Sequence, residues 1–124
     1  MRIMIVDDHE ISRAACRALL RAGGADVVSD LRASDDAIAA TRALRPQVVI
    51  VDVTPETGTG LGIARALRGL PAPPIVILTS SADRALLGPE VSGYLFVAKA
   101  DISATVIAAL TSAPGRARPG PGET

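Results

Sequence analysis

Polar side chains with distinct chemistry follow four short apolar runs of the sequence. They comprise three carboxylates, two hydroxyls and one ammonium: Asp7, Asp8, Asp52, Thr79, Ser80 and Lys99. Carboxylates that lie close together repel one another and raise each other's pKa unless a cation intervenes. A hard divalent cation such as Mg²⁺ suits such a group, because it binds carboxylates, water and backbone oxygen. With the added ammonium, the set has the charges needed to hold a phosphoryl group, whose transfer depends on positioning and charge neutralisation.

The elements that must position these residues are short strands separated by helical patterns. We predict strands at Ile3–Val6, Asp26–Leu31, Val48–Val51, Ile75–Leu78 and Tyr94–Val97. Most of these runs are uninterrupted and β-branched, which is typical of strands buried on both faces. Strands alternating with helices predict an α/β fold, a doubly wound five-stranded parallel sheet with helices on both faces. The polar residues after the strands then share the carboxyl edge, where such sheets bind ligands.

Helix boundaries and faces are predicted from spacing and from capping residues. The first helix has an apolar face of five residues, which we expect to face the core: Ile11, Ala14, Ala15, Ala18 and Leu19. Ser34 is the predicted N-cap of the second helix, and Asp101 or Ser103 that of the last. The stretch Ala82–Ser92 is short and broken by Gly88-Pro89, so a helix there should be short or irregular.

Length and composition exclude several classes of protein. The chain of 124 residues has room for one domain, and its formal net charge of zero gives no support to a nucleic-acid-coating or membrane-surface role. Two aromatic residues cannot form a stacking platform for single-stranded nucleic acid. No apolar run approaches the roughly 20 residues that span a bilayer. We therefore expect a cytoplasmic protein with no membrane segment and no direct nucleic-acid binding.

The single cysteine and the single histidine limit the kinds of metal site. Cys16 alone forms neither a disulfide framework nor a cysteine-based zinc site, and His9 alone forms no histidine cluster. A bound metal is therefore expected to be a hard cation held by carboxylates. We assign neither residue a functional role.

The end of the chain differs in composition from the rest. Residues 113–124 are rich in proline and glycine and have no face that could pack. We predict a domain at residues 1–112, followed by a disordered tail or an interdomain linker at residues 113–124.

Four motifs in order carry a resemblance to a known family. They are Ile5-Val6-Asp7-Asp8-His9-Glu10, Val49-Ile50-Val51-Asp52, Ile77-Leu78-Thr79-Ser80 and Phe96-Val97-Ala98-Lys99. Each motif alone is weak, but the four together, each at a predicted strand end, resemble the receiver domain of two-component response regulators. The resemblance covers about residues 1–112, and the intervals between the motifs are close to those of the family.

The resemblance implies roles for individual residues. Asp52 corresponds to the phosphoacceptor, and Mg²⁺ would be bound by the side chains of Asp8 and Asp52 and the backbone carbonyl of Thr54, with Asp7 acting through water. Lys99 and Thr79 would each hold a phosphoryl oxygen. Phe96 takes the position of the family's switch aromatic.

The resemblance also implies partners. A histidine kinase or phosphotransfer protein would supply the phosphoryl group, and the chain would promote only its own phosphorylation and dephosphorylation rather than act as an enzyme on other substrates. The linker-like tail resembles those that join receivers to helix-turn-helix output domains, which would link the protein to transcription regulation. A homodimer is compatible with this interpretation.

Two departures from the family pattern keep an alternative function open. Proline stands three residues after Asp52 rather than four, and Glu56 takes the fourth position, where it could modify the pocket by adding negative charge. Ala100 replaces the frequent proline after Lys99. Glu56 and the irregular fourth helix keep open the alternative of a phosphorylation-independent protein-interaction module with a receiver fold. A phosphatase of the haloacid dehalogenase type needs Asp-x-Asp after the first strand, which Asp7-Asp8-His9 does not supply.

Overall fold

The computed structural model describes residues 1–112, so the predicted tail at 113–124 lies outside the described residues. The described residues form five strands: β1 (Arg2–Val6), β2 (Asp26–Leu31), β3 (Val48–Asp52), β4 (Ile75–Ser80) and β5 (Leu95–Ala98). Four α-helices accompany them: α1 (Glu10–Ala22), α2 (Ala37–Leu44), α3 (Thr59–Arg68) and α4 (Ala104–Ser112). Short 3₁₀ turns occupy Arg84–Leu86, Pro89–Gly93 and Lys99–Asp101.

The strands form one parallel sheet in the order β2-β1-β3-β4-β5, with helices on both faces. Alternate side chains of β1 enter different cores. Met4 and Val6 pack with residues of α2 and α3, whereas Ile3 and Ile5 pack with residues of α1 and α4. The predicted doubly wound fold is therefore confirmed. Burying such a side chain fully stabilises the fold by about 1.5–3 kcal/mol, which explains why the strands lack polar alternation.

Helix α1 buries a different face from the one predicted. Cys16 and Leu20 are buried, whereas Ile11 is 87% exposed and Leu19 53% exposed. The reason lies in the polar residues of the inward side: Ser12 donates to Asp7, and Arg13 donates to Asp30 and to the carbonyl of Asp7. These bonds turn the less apolar stripe toward the sheet and leave the alanine-rich stripe outside.

The helix caps also differ in part from the prediction. Asp36, not Ser34, caps α2, because its carboxylate accepts a hydrogen bond from the Ala39 N–H. An aspartate directly before the first turn is well placed for this bond and favours the helix dipole. Of the two predicted caps for α4, Ser103 makes the bond, accepting from the Val106 N–H at 3.1 Å.

The segment between β4 and β5, where the sequence predicts a short or irregular helix, contains two 3₁₀ turns and no α-helix. Its two 3₁₀ turns meet at Gly88, whose φ of 89° is a left-handed conformation that favours glycine. Leu87 and Val91 fix the segment to the core. No helix within residues 1–112 has the length and apolar character that crossing a bilayer requires.

Arginines of α3 hold this segment from outside. Arg65 donates to both carboxylate oxygens of Glu90 at 2.7 and 2.8 Å. Arg68 bonds the carbonyl of Gly93, and its guanidinium lies 3.6 Å from the ring centroid of Tyr94. The stacked guanidinium adds cation–π stabilisation to the contact between α3 and this segment.

We expect Asp30→Asn to lower the free energy of unfolding by about 1–2 kcal/mol at neutral pH, since charged hydrogen bonds contribute roughly 1.5–3 kcal/mol and this site is partly exposed. Burial opposes ionisation of Asp30, but hydrogen bonds from Arg17 at 2.8 Å and Arg13 at 3.1 Å outweigh it and lower its pKa. A lowered pKa stabilises the fold above the unfolded-state pKa, and this contribution is lost as pH falls through the folded-state pKa.

Urea titrations at several pH values measure this effect. The difference between wild type and Asp30→Asn should shrink in acid below the ordinary aspartate pKa of about 4. Asp26→Asn is the control, because its exposed pair with Arg2 spans 3.9 Å and should contribute under about 0.5 kcal/mol. A constant difference across pH would contradict the ion-pair account.

Candidate functional site

The carboxyl edge of the sheet brings together residues from β1, β3 and β5. Asp7 follows β1 directly, and Asp52 is the last residue of β3, which pairs with β1. The chain leaves β1 toward β2 on one side and returns to β3 on the other, so the two acids flank the topological switch point. Lys99 follows β5 and extends across β4 to reach them.

The ammonium of Lys99 bridges the two carboxylates. Its Nζ atom lies 2.8 Å from Asp52 Oδ1 and 3.1 Å from Asp7 Oδ2. The side chains of Asp7 and Asp52 are only 4% and 6% exposed. Burial alone would lower the pKa of Lys99, but its bonds to Asp52 and Asp7 and their charges outweigh burial and raise that pKa. Lys99 is therefore held in its charged form.

The two acids respond to this environment in opposite directions. Burial tends to raise the pKa of Asp7, but hydrogen bonds from the His9 N–H, Ser12 and Lys99 outweigh it and lower that pKa. At Asp52, burial and the charge of Asp7 raise the pKa despite the bond from Lys99. Asp52 is thus the less stabilised anion of the pair.

A buried hydroxyl lies beside Asp52. Thr79 pairs with Asp52 in the register of β3 and β4, and the residue is 3% exposed. Within residues 1–112, its Oγ1 atom makes no hydrogen bond. An unpaired buried hydroxyl costs free energy, and such groups are rare in folded proteins. The site therefore contains a donor that lacks an acceptor.

The loop after β1 places its residues differently from the sequence prediction. His9 Nδ1 lies 3.2 Å from Asp7 Oδ1 and 3.6 Å from Asp52 Oδ2, so it joins the two acids. Asp8 lines the same cavity, but its side chain is exposed and accepts a hydrogen bond from the Ala33 N–H at 2.6 Å. The structure thus brings two of the three predicted carboxylates, Asp7 and Asp52, onto the same ammonium, and it adds the histidine to which we assigned no role. In the sequence, the position of His9 two residues after Asp7 is the feature that could have indicated its place beside the acids.

A cavity of about 250 Å³ opens between these acids and the loop before α3. Thr54 and Glu56 line it together with Asp8. Asp7, His9 and Asp52 present donor atoms within 4.8 Å of one another, a group able to hold a metal ion. Carboxylate oxygens beside a cavity with room for water suit a partly hydrated Mg²⁺.

Phe96 lies further along the edge, away from the cluster. Its ring is half-buried against the core that contains Leu87 and Tyr94, and the guanidinium of Arg84 lies 5.6 Å from its centroid. The side chain therefore packs partly inward, as the apolar character of phenylalanine favours.

Comparison with known proteins identifies the fold and its family. Residues 3–109 match the response regulator receiver domain. The chain belongs to this family. The receiver domain is a component of two-component signalling systems, and the matched segment includes Asp52 and Lys99.

Curated relatives of this receiver are longer proteins. The DNA-binding transcriptional activator EvgA of Escherichia coli K12 is 28% identical over 116 residues, which are 91% of this chain and 57% of EvgA. The DNA-binding transcriptional activator DevR/DosR of Mycobacterium tuberculosis is 34% identical over 96 residues, which are 75% of this chain and 44% of DevR/DosR. The chain spans about half the length of these relatives. A Myxococcus xanthus protein-glutamate methylesterase/protein-glutamine glutaminase is 36% identical over 83 residues, which are 66% of this chain and 24% of that relative.

Solved structures show the same fold. The signal receiver domain of NarL from Mycobacterium tuberculosis superposes with a TM-score of 0.68 at 24% identity, covering 90% of this chain and 96% of that one. A CheY-like receiver domain from Methylobacillus flagellatus superposes with a TM-score of 0.70 at 23% identity, covering 89% and 98%. The five-stranded receiver architecture is shared with both.

Helix α3 of the receiver approaches the end of β3 closely at Gly60. A Cβ atom added at Gly60 would lie 2.3 Å from the backbone oxygen of Asp52 and 2.9 Å from Val53. We expect Gly60→Ala to lower the free energy of unfolding by about 1–3 kcal/mol, because overpacking against backbone forces a shift. The NMR chemical shifts of the Asp52 and Val53 backbone amides should also change in the Gly60→Ala variant.

Gly62→Ala is the matched control on the same helix. A Cβ there meets only the far end of Arg65 at 3.9 Å. Replacing glycine by alanine in a helix should stabilise the protein by about 0.5–1 kcal/mol. Equal effects of the two substitutions in thermal unfolding would contradict a specific contact between α3 and the end of β3.

Proposed function

We propose that this receiver accepts a phosphoryl group on Asp52 from a histidine kinase or phosphotransfer protein, in the presence of Mg²⁺. One observation carries the proposal: Asp52 is nearly buried, one of its oxygens is held by Lys99, and it lines a cavity of about 250 Å³. The carboxylate would attack phosphorus, while the bond from phosphorus to the donor breaks. Lys99 would neutralise charge that develops on the transferred group.

The proposed Mg²⁺ ligands are the side chains of Asp8 and Asp52 and the carbonyl of Thr54, with Asp7 acting through water. All four residues line the same cavity, which supports this set. When bound, Mg²⁺ would neutralise phosphoryl oxygens and leave the protein to position the reactants. The chain would alter only its own phosphorylation state.

Thr79 and Phe96 form the proposed response to phosphorylation. An aspartyl phosphate brings nearly two negative charges and several acceptor oxygens. The unpaired hydroxyl of Thr79 could donate a hydrogen bond to one of these oxygens. The half-buried ring of Phe96 is already partly inward, so phosphorylation would shift a population rather than create a new state.

The output of the protein is proposed from its relatives. EvgA and DevR/DosR are named as DNA-binding activators, and this chain matches 57% and 44% of their lengths. We propose that the receiver controls transcription in the cytoplasm through a helix-turn-helix output domain, joined through a linker such as residues 113–124. The receiver itself would not contact nucleic acid or a membrane, and dimerisation is compatible with this role.

Incubation with acetyl phosphate or phosphoramidate and Mg²⁺ should add one phosphoryl group, measured by intact mass. Asp52→Asn should abolish the addition, because an amide is not a nucleophile for this transfer, and hydroxylamine should remove the adduct from wild type. Asp26→Asn, at the opposite edge of the sheet, should retain wild-type labelling. A wild-type protein that stays unmodified with small donors and with a cognate kinase would overturn the proposal.

Glu56 supports the second candidate, a phosphorylation-independent interaction module. Its carboxylate lines the cavity and adds negative charge where a phosphoryl donor would enter. If the receiver is phosphorylated, Glu56→Gln should raise the labelling rate about two- to fivefold, since an exposed charge interaction contributes roughly 0.5–1 kcal/mol. Asp26→Asn controls for net charge. Absence of labelling in both wild type and Glu56→Gln would favour the interaction module.

A further inference from the structure

The hydroxyl of Ser12 is a polar group beside the two acids that the proposed phosphoryl transfer does not use. Ser12 lies in the first turn of α1 and donates to Asp7 Oδ2 at 2.9 Å. We propose that Ser12 is a positioning residue: its hydroxyl holds the carboxylate of Asp7, so that the ammonium of Lys99 stays with Asp52. The effect on labelling rests on the proposed function, whereas the position of the ammonium is measured without any phosphodonor.

Ser12 and Lys99 donate to the same oxygen. Lys99 Nζ lies 3.1 Å from Asp7 Oδ2, the oxygen that Ser12 contacts, and 2.8 Å from Asp52 Oδ1. The hydroxyl dipole offsets part of the negative charge on Asp7 Oδ2, so this oxygen attracts the ammonium less than a carboxylate oxygen without a donor would. The ammonium accordingly lies closer to Asp52.

The two acids depend on Lys99 to different degrees. Asp7 accepts from the His9 N–H through Oδ1 at 2.9 Å and from Ser12 through Oδ2, so it keeps two donors when the ammonium leaves. Within residues 1–112, the carboxylate of Asp52 has only Lys99 at hydrogen-bond distance, since His9 Nδ1 lies 3.6 Å away. Asp7 therefore releases the ammonium at a lower cost than Asp52 does, as long as the hydroxyl of Ser12 is present.

Removal of the hydroxyl should reverse this balance. The side chain of Asp7 is only 4% exposed, and a buried carboxylate that loses a donor is destabilised. In Ser12→Ala the ammonium becomes the one donor to Asp7 Oδ2 among the described residues, so it should move toward Asp7 and away from Asp52. Under the proposed function, the ammonium would then lie further from the place where charge develops on the transferred group.

Crystal structures of metal-free wild type and Ser12→Ala measure this movement. We expect Lys99 Nζ of the variant to lie more than about 3.2 Å from Asp52 Oδ1, beyond ordinary hydrogen-bond distance, and a shorter distance would overturn the proposal. Lys99 is the only lysine of the chain, so its ammonium also gives a single ¹⁵N signal in solution. That signal should shift in Ser12→Ala but not in the control Ser92→Ala, whose hydroxyl donates to the Pro89 carbonyl. An unchanged signal in Ser12→Ala would also contradict the proposal.

Labelling with phosphoramidate and Mg²⁺, followed by intact mass, tests the consequence for the reaction. Ser12→Ala should lower the initial rate by about three- to tenfold, the size that an ordinary hydrogen bond predicts, and a rate within about threefold of wild type would contradict the positioning role. Ser12→Thr retains a hydroxyl and should label within about twofold of wild type, which a loss of helix packing alone would not explain. Absence of labelling in wild type would instead overturn the proposed function, and the distances of Lys99 Nζ would still decide the role of Ser12.

Discussion

The carboxyl edge of this receiver depends on one ammonium held between two nearly buried carboxylates. Asp7 and Asp52 come from neighbouring strands, and their burial without a cation would be costly. Lys99 reduces that cost at both acids, but a single positive charge cannot neutralise two negative ones. Under the proposed function, the remaining negative charge would favour a bound cation, and the unpaired hydroxyl of Thr79 would donate to a bound anion.

The sheet was predictable from the sequence because its strands are buried on both faces and so consist of uninterrupted β-branched runs. Their ends then placed Asp7, Asp52 and Lys99 at one edge by topology alone. The inward face of α1 was not predictable, since it depends on Arg13 reaching Asp30, a contact between distant residues. The same holds for the β1–α1 loop, where the Ala33 N–H from another loop holds Asp8 and leaves His9 beside the acids.

The segment between β4 and β5 packs on the core without an α-helix. Glycine and proline at positions 88 and 89 break any helical run, and Leu87, Val91 and Tyr94 bury the apolar side chains of the segment. The α3 arginines compensate from the outer side, through Glu90 and Tyr94. The pair between Arg65 and Glu90 is exposed and contributes little free energy, whereas Arg68 stacks on the buried ring of Tyr94.

Strand register links the charged edge to this segment. Thr79 lies beside Asp52 on one side and pairs with Val97 on the other, and the preceding residue of β4, Leu78, pairs with Phe96. Phe96 in turn lies near Arg84, which belongs to the first 3₁₀ turn. Under the proposed function, a change in the hydrogen bonding of Thr79 would act on the strand that carries Phe96. The 3₁₀ turn that contains Arg84 lies next to that ring, so a population shift that begins at Asp52 would reach the surface of the protein at this segment.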